Sequence, residues 1–483
     1  MSAVLNPLLT ELALVALAVV VLVMGLVSRG SAQSDERRVP GSGPAGWVTL
    51  IGLLAIFGLT FVVEEGGAFG GEAFVADSLA ILAKRIFLAS AALSVLGSLT
   101  LRHATFRRRA AEYYFALVLS VLGMSVLASA RELILLFVGF ELMSIPLFLL
   151  TGFLKREEVA SEAALKFFLV GTASAAVIVY GMSFVYGATG STMLAAIPPA
   201  MAEGDPMMML GLGFLLAGLG FKIAAFPFHM WAPDTYEAAS TPFVAWLSVA
   251  PKAAGFVAII RLYIEGVGSA ALIWMPAVAV LAGMTMVTGN LMAIPQQNIK
   301  RMLAYSGVAH IGYMLVGLAA LSSSGVAMML FYLIAYMFGN MGAFLVVQAV
   351  AHTENSDRME AYRGLAQRSP LLALAMLIFL LSLGGIPFVA GFWAKLYVFW
   401  AAIERGMYGL VFLGAVVTVV ALYYYLLVAR QMYIEAPGRP EPIAVPRPLG
   451  IAIFACLAGV VGMGVYPGPW VDLAMRVAST LFF

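Results

Sequence analysis

An all-α, polytopic membrane protein with about fourteen transmembrane helices is the fold that this sequence predicts. Three observations lead there. Of the 483 residues, 63% are hydrophobic and only 11% are charged, against about 25% charged residues in soluble domains. Apolar runs recur at the roughly 20-residue length that spans a hydrocarbon core. Basic residues collect in alternate loops, the pattern that orients membrane helices. Length alone would suggest two or three soluble domains, but composition points to one membrane bundle.

Punctuation by Gly, Pro and charge clusters places the first spans near 7–29, 47–65, 78–101, 112–129, 131–153 and 161–188. Eight more follow near 207–231, 240–263, 270–292, 299–320, 326–351, 370–402, 408–433 and 446–478. The run from Leu8 to Val27 has no basic stretch before it and no small-residue cleavage site after it, so it reads as a retained helix. Alternate loops carry Arg29, Arg37 and Arg38; Arg102 and Arg107 to Arg109; Lys155 and Arg156; Lys300 and Arg301; Arg358, Arg363 and Arg368; and Arg430, Arg439 and Arg447. The other loops hold scattered examples such as Arg131, Arg261 and Arg405, and the 64–77 loop is acidic. The positive-inside rule then makes the basic set cytoplasmic and puts both termini outside. Lys84 and Arg85, inside the third span, read as side chains snorkelling to its outer end. The polar connections 30–46, 352–369 and 434–447 are too short and too poor in apolar residues to fold alone.

Composition also excludes functions. One cysteine, Cys456, rules out a disulfide framework, a CxxC pair and a cysteine-ligated iron–sulfur cluster within the chain. A net charge of +2 is too small to suggest nucleic acid. No metal-ligand motif is visible, so no cofactor is expected in this chain.

The informative residues are ionisable groups in mid-span, where each costs about 2.5–3.5 kcal/mol on insertion scales. Glu141 lies in FVGFELMSIPLFLL, Lys222 in LGLGFKIAAFPF, Lys252 in WLSVAPKAAGF and Lys395 in PFVAGFWAKLYVFW. All are too central to snorkel easily, and an ion pathway explains them better than structural salt bridges do. Glu162 and Lys166 share one face of the sixth span, and the favoured Glu-before-Lys order allows a simple helical pair as well. His310, in YSGVAHIGYML, is a relay candidate by its neutral-range chemistry, although a lone histidine is more often a packing residue. Arg131 and Glu132 read as interfacial, and His229 and Asp234 as helix-end residues. Burial disfavours a charged ammonium and a neighbouring carboxylate favours it. A row of such groups therefore exchanges protons as partners move or change charge, each site altering the affinity of the next.

Two spans are broken by proline. Lys222 stands five residues before Pro227 in the seventh, and Lys395 eight residues after Pro387 in the twelfth. Proline frees a backbone carbonyl, which hydrocarbon tolerates only when protein or a watery cavity satisfies it; a lysine beside the break is carbonyl partner and ion site at once. Spans 4–8 and 9–13 form two groups of five, and an odd number reverses orientation. The interrupted spans fall at corresponding places in the two groups, the pointer to inverted repeats with midplane sites. The expected segments are a three-helix part at 1–110, repeats at 111–265 and 266–433, and a C-terminal helix at 434–483.

The stretch GLGFKIAAFPFHMWAPDTYEAASTPFVAWLSVAPKAAGF, with GFELMSIPLFLLTGF, QQNIKRMLAYSGVAHIGYMLVG and GIPFVAGFWAKLYVF, resembles the antiporter-like subunits of respiratory complex I, the proton-pumping NADH:quinone oxidoreductase. That family is related to the multisubunit cation/proton antiporters. The resemblance covers about residues 110–430, and LKFFLVGTASAAVIVYGMSFVYGATGS and SVAPKAAGF look most like the N type. It implies fourteen helices, two inverted five-helix repeats with discontinuous helices 7 and 12, and a central hydrophilic axis. It matches Glu141 to the family's helix-5 glutamate, Lys222, Lys252 and Lys395 to its helix-7, helix-8 and helix-12 lysines, and Glu162 and Lys166 to a helix-6 pair. The run Pro387-Phe388-Val389-Ala390-Gly391 departs from a PPTAGF-like pattern. The chain ends without the long lateral helix of the L type.

The resemblance further implies redox chemistry elsewhere, with FMN, iron–sulfur clusters and quinone in partner subunits. The implied neighbours are an M-type antiporter-like subunit, small J- and K-type subunits, and phospholipids. The expected mechanism lets Glu141 modulate Lys222, which exchanges a proton with Lys252. His310 and water carry it on to Lys395. Two rival readings are a cation/proton antiporter subunit and a passive scaffold whose charges are locked in structural pairs.

Overall fold

A chain segment in hydrocarbon must satisfy its backbone polar groups internally, and the helix is the local way to do so. The computed structural model describes residues 6–32, 43–101, 103–154, 158–198, 205–267 and 271–482, and these are mostly helical. Among the described residues, twelve helices are long and apolar enough to cross a membrane, with shorter apolar helices at Pro44–Leu59 and Pro370–Gly384. Arg37, Arg38, Arg102, Lys155 and Arg156, which entered the orientation argument, lie outside the described residues.

The helices cluster into two compact units, Met1–Ile223 with Ala238–Ala270, and Ala224–Glu237 with Ala271–Phe483. In the first are α1 (Leu9–Ala32), α2 (Gly43–Leu59), α3 (Ser78–Ser98), α4 (Ala110–Ser129), α5 (Leu133–Thr151), α6 (Glu158–Thr189) and α7 (Pro206–Ile223). The second opens with α8 (Trp231–Ala238), and the chain then returns to the first for α9 (Thr241–Leu247) and α10 (Ala250–Ile259), continued by one π-helical segment at Ile260–Gly266. There α1 packs on α2 and α4, α3 on α2, α4, α9 and α10, and α7 on α6 and α10.

The second unit continues with α11 (Ala271–Ala293), α12 (Ile299–Ala319), α13 (Ser323–Glu354), α14 (Pro370–Gly384), α15 (Ala390–Glu404), α16 (Tyr408–Tyr433), α17 (Arg447–Val465) and α18 (Gly468–Ser479). The 32-residue α13 is its spine, touching α12, α14, α15, α17 and α18. Its start is capped by the Ser322 hydroxyl, which accepts from the Gly325 N–H, and its end by Asn355 in the left-handed region.

Four expectations need correction. The acidic 64–77 segment contains a hairpin, β1 (Gly67–Phe69) against β2 (Phe74–Ala76), because Gly70 and Gly71 take the positive φ of a tight turn and β2 is buried. The expected 446–478 span is two helices, since Pro467 and Gly468 follow the end of α17 at Val465. Arg261 is no loop residue; it is fully buried in the π-helical segment. Lys84 does not snorkel. It is buried and pairs with Glu11 of α1 at 2.7 Å, while Arg85 donates to Thr60 and covers the ring of Phe61.

Burying Arg261 requires full compensation. Its guanidinium holds Asp77 bidentately at 2.6 and 2.7 Å, reaches Glu265, and donates to the Ala128 carbonyl at the end of α4. Arg131 adds contacts to Asp77 at 3.1 Å and Glu265 at 3.3 Å, while its neighbour Glu132 caps α5. Burial pushes the Asp77 carboxyl up, but Arg261, the Ala80 N–H and Arg131 together hold it below its ordinary value. The stability this gives is present above the ordinary aspartate pKa of about 3.9 and is lost as pH falls through the lowered one.

Candidate functional site

In the first unit, α5 and α7 set the site. Lys222 lies in the last turn of α7, fully buried, where the helix stops because Ala224 takes a positive φ. Its ammonium donates to the Ser144 hydroxyl at 2.7 Å and sits 5.0 Å from the centre of the Phe140 ring. Ser144 is on α5, three residues after Glu141, so both face the same side of that helix. The Glu141 carboxylate interacts electrostatically with Lys222 but is only half-buried. It lines a cavity of about 570 Å³ beside α6, together with Phe137, Thr172, Ala176 and Tyr180. Arranged this way, the lysine is held by a neutral hydroxyl, and the carboxylate that interacts with it borders open space.

Lys252 is buried in the first turn of α10. One turn on, Gly255 lets α7 approach, since a Cβ there would lie 2.6 Å from Ile223 Cγ2 and 3.7 Å from Lys222 Cβ. The structure thus brings Glu141, Lys222 and the Lys252 helix together. Glu162 and Lys166 pair at 2.7 Å, as their i,i+4 spacing allows, but both side chains are more than half exposed on α6.

In the second unit, the helix break at Pro387 builds the site. α14 ends where Gly385 takes φ +83°, and α15 begins only at Ala390. Lys395, buried on α15, turns back to this break and donates to the Gly384 carbonyl at 3.2 Å. The sequence-based idea of a lysine serving a freed carbonyl describes Lys395; Lys222 takes a hydroxyl instead. At the other break, the Phe226 N–H near Pro227 donates to the Thr285 hydroxyl at 3.1 Å.

Lys395 lies 4.7 Å from the centre of the Tyr313 ring, and the ring of Tyr313 is 6.0 Å from that of His310. His310 is bracketed by two hydroxyls, Tyr332 at 2.8 Å from Nδ1 and Tyr425 at 3.3 Å from Nε2, and Tyr425 meets Ser306. Tyr313 also meets Asn290 at 3.2 Å, which accepts from Tyr424 at 3.0 Å. Around a histidine, such hydroxyl and amide groups make a network able to pass a proton by reorientation. Sequence reasoning missed Ser144, Asn290, Tyr313, Tyr332, Tyr424 and Tyr425. Ser144 carried a signal, lying one helical turn from Glu141; the tyrosines, common in apolar helices, carried none. His229 and Asp234 behave as helix-end residues, Asp234 pairing with Arg301 at 2.8 Å. No cluster of three metal-ligating side chains exists among the described residues.

Gly385 has no room for a side chain. A Cβ would lie 2.9 Å from Lys395 Cδ, and the left-handed backbone costs an L-residue about 1–2 kcal/mol. Gly385→Ala is expected to lower thermal stability by about that amount and to displace Lys395, so that proton pumping falls further than assembly does. Blue-native gels beside pumping assays check this, and parental pumping would show that the position of Lys395 is not critical.

Known proteins resemble this chain over most of its length. Residues 130–421 match the family described as NADH:quinone oxidoreductase/Mrp antiporter, TM. NADH-quinone oxidoreductase subunit N of Heliobacterium modesticaldum is 41% identical, over 98% of both chains, and that of Moorella thermoacetica is 40% identical over 99% of both. Among solved structures, a chain of respiratory complex I from Thermus thermophilus with bound aureothin is 34% identical with a TM-score of 0.81, covering 97% of this chain and 100% of that one. A chain of the Mrp complex from Dietzia sp. DQ12-45-1b shares the fold at a TM-score of 0.86 and 20% identity, covering 100% of this chain and 98% of its own. A match that runs end to end at this identity leaves one assignment: this chain belongs to the N-subunit family of the NADH-quinone oxidoreductases.

Proposed function

We infer that this chain is the N-type, proton-translocating membrane subunit of a bacterial NADH:quinone oxidoreductase. The observation that carries the inference is the 41% identity to a subunit so named over 98% of both chains. The chain contributes to a translocase-class enzyme without housing its redox chemistry. FMN, iron–sulfur clusters and quinone belong to partner subunits on this reading, and an M-type antiporter-like subunit and small J- and K-type subunits are its neighbours, with phospholipid around it. Fourteen spans follow when the helix at Pro44–Leu59 and the broken pair α14 and α15 are added to the twelve long ones. The proposal keeps two inverted five-helix repeats, at 111–265 and 266–433, flanked by the 1–110 and 434–483 segments, and both termini on the periplasmic side of the inner membrane.

The proposed relay uses Glu141 to modulate Lys222, which exchanges a proton with Lys252. His310 and its hydroxyl partners carry the proton toward Lys395. Glu162 and Lys166 are proposed as auxiliary relay residues, with Pro227 and Pro387 opening the helices where lysines work. The hydroxyl on Lys222 and the half-buried position of Glu141 support this, because a lysine not locked in a direct ion pair can change protonation without breaking one. Vesicles bearing the assembled enzyme distinguish it from a cation/proton antiporter subunit. Proton uptake is expected to follow NADH oxidation and to be indifferent to sodium. Sodium-dependent proton movement without NADH or quinone would overturn the assignment.

A further inference from the structure

We propose that Glu11 and Lys84 form a second proton-accepting site, outside the lysine relay, reached from the end of the first unit where Asp77, Arg131, Arg261 and Glu265 converge. The proposal rests on the proton-translocating reading and adds a site to it. Glu11 of α1 and Lys84 of α3 are both more than nine-tenths buried and lie 2.7 Å apart. The Ser125 hydroxyl of α4 donates to Glu11 Oε1 at 2.6 Å. Beyond that, the pair is poorly bonded. Among the described residues Glu11 Oε2 has no hydrogen-bond partner, and the short contact at Lys84 Nζ is an ion pair without hydrogen-bond alignment. Lys84 Nζ otherwise faces the Phe74 ring of β2, 5.1 Å from its centre. One turn along α4 from Ser125, the buried Ser129 hydroxyl is also without a hydrogen-bond partner among the described residues.

A buried ion pair holds its charges only when good geometry and further hydrogen bonds offset desolvation. Here Glu11 Oε2 and the Ser129 hydroxyl have no hydrogen-bond partner among the described residues, so the pair offers an open oxygen to an incoming proton. A proton leaving Lys84 Nζ for Glu11 Oε1 breaks an N–H bond, forms an O–H bond and leaves the net charge at zero. A further proton, delivered by water, is taken by the freed amine, and its release restores the pair.

Access follows the helices. Asp77 caps α3 seven residues before Lys84, two turns or about 10 Å along one face. Arg261 ties Asp77 to the Ala128 carbonyl of α4, beside Ser129. The same two helices therefore carry the charged cluster and the pair, with the open Ser129 hydroxyl on the side of the cluster. Arg85, the other nearby charge on α3, is turned to Thr60 and Phe61.

Infrared difference spectra of the intact purified enzyme, taken between acidic and alkaline buffers, test the site. A protonated-carboxyl stretch that titrates and disappears in Glu11→Gln is expected; its absence from the parent overturns the proposal. The paired variant Glu11→Gln/Lys84→Met strands no charge, and it is expected to assemble and to pump fewer protons per NADH. Parental pumping in it would assign the pair to stability alone. Where Glu11→Gln does not assemble, Ser125→Ala is read in the same spectrum, and an unmoved carboxyl band overturns the proposal. Full pumping in Lys222→Ala would strike the proton-relay reading instead, so the two failures are distinguishable.

Discussion

Lys222→Ala is expected to lower NADH-driven proton pumping about 100-fold, the lower range for losing a proton-transferring group, while the enzyme assembles normally. Assembly survives because the partners of Lys222 do not depend on it. The Ser144 hydroxyl still donates to the Phe140 carbonyl at 2.6 Å, and Glu141 still borders its cavity. Lys222→Arg sharpens the experiment. Arginine keeps the positive charge but does not deprotonate in proteins, so a relay site fails with arginine as it does with alanine. Pumping restored by arginine would reduce Lys222 to a fixed charge. Pumping, NADH–quinone turnover and native-gel assembly, measured on one membrane preparation, separate these outcomes. Unchanged activity in Lys222→Ala would bring the scaffold reading forward.

Lys395→Met is expected to be the more damaging change, with pumping lost to a similar degree and stability reduced as well. The Gly384 carbonyl at the end of α14 would lose its ammonium donor in a buried setting, at a cost of about 1–3 kcal/mol. A lower melting temperature of the isolated enzyme should therefore accompany the pumping defect. Lys395→Arg retains a donor for that carbonyl, so it should recover much of the stability and none of the pumping. Recovery of both together would show that Lys395 acts by holding the helix break alone.

The difference between the two lysines shows what could be read early. Both stand near a proline and both are surrounded by apolar residues, so their cost in hydrocarbon marks them from the sequence alone. Their partners are less legible. Ser144 is one turn from Glu141 and within reach of pattern reasoning, whereas Gly384 follows from a helix that ends in a left-handed glycine and folds α15 back over it. Tyr332 and Tyr425, which bracket His310, come from α13 and α16 and share no spacing with it. Lys84 was misread for the same reason. Its depth in α3 suggested snorkelling, and only α1, packed on α4 beside it, supplies Glu11.

Sequence by itself determined the solvent, the helical class, the approximate spans, the broken helices and the charged residues worth attention. Each of these is local, depending on the length and polarity of a run or on one expensive group within it. Tertiary structure alone decided who meets whom: Lys222 with Ser144, Lys395 with Gly384, His310 with two tyrosines, Arg261 with Asp77, and Glu11 with Lys84. Apolar membrane helices look alike over their whole surface, so hydropathy does not say which faces pack together, and the partner of a buried charge is set by that packing.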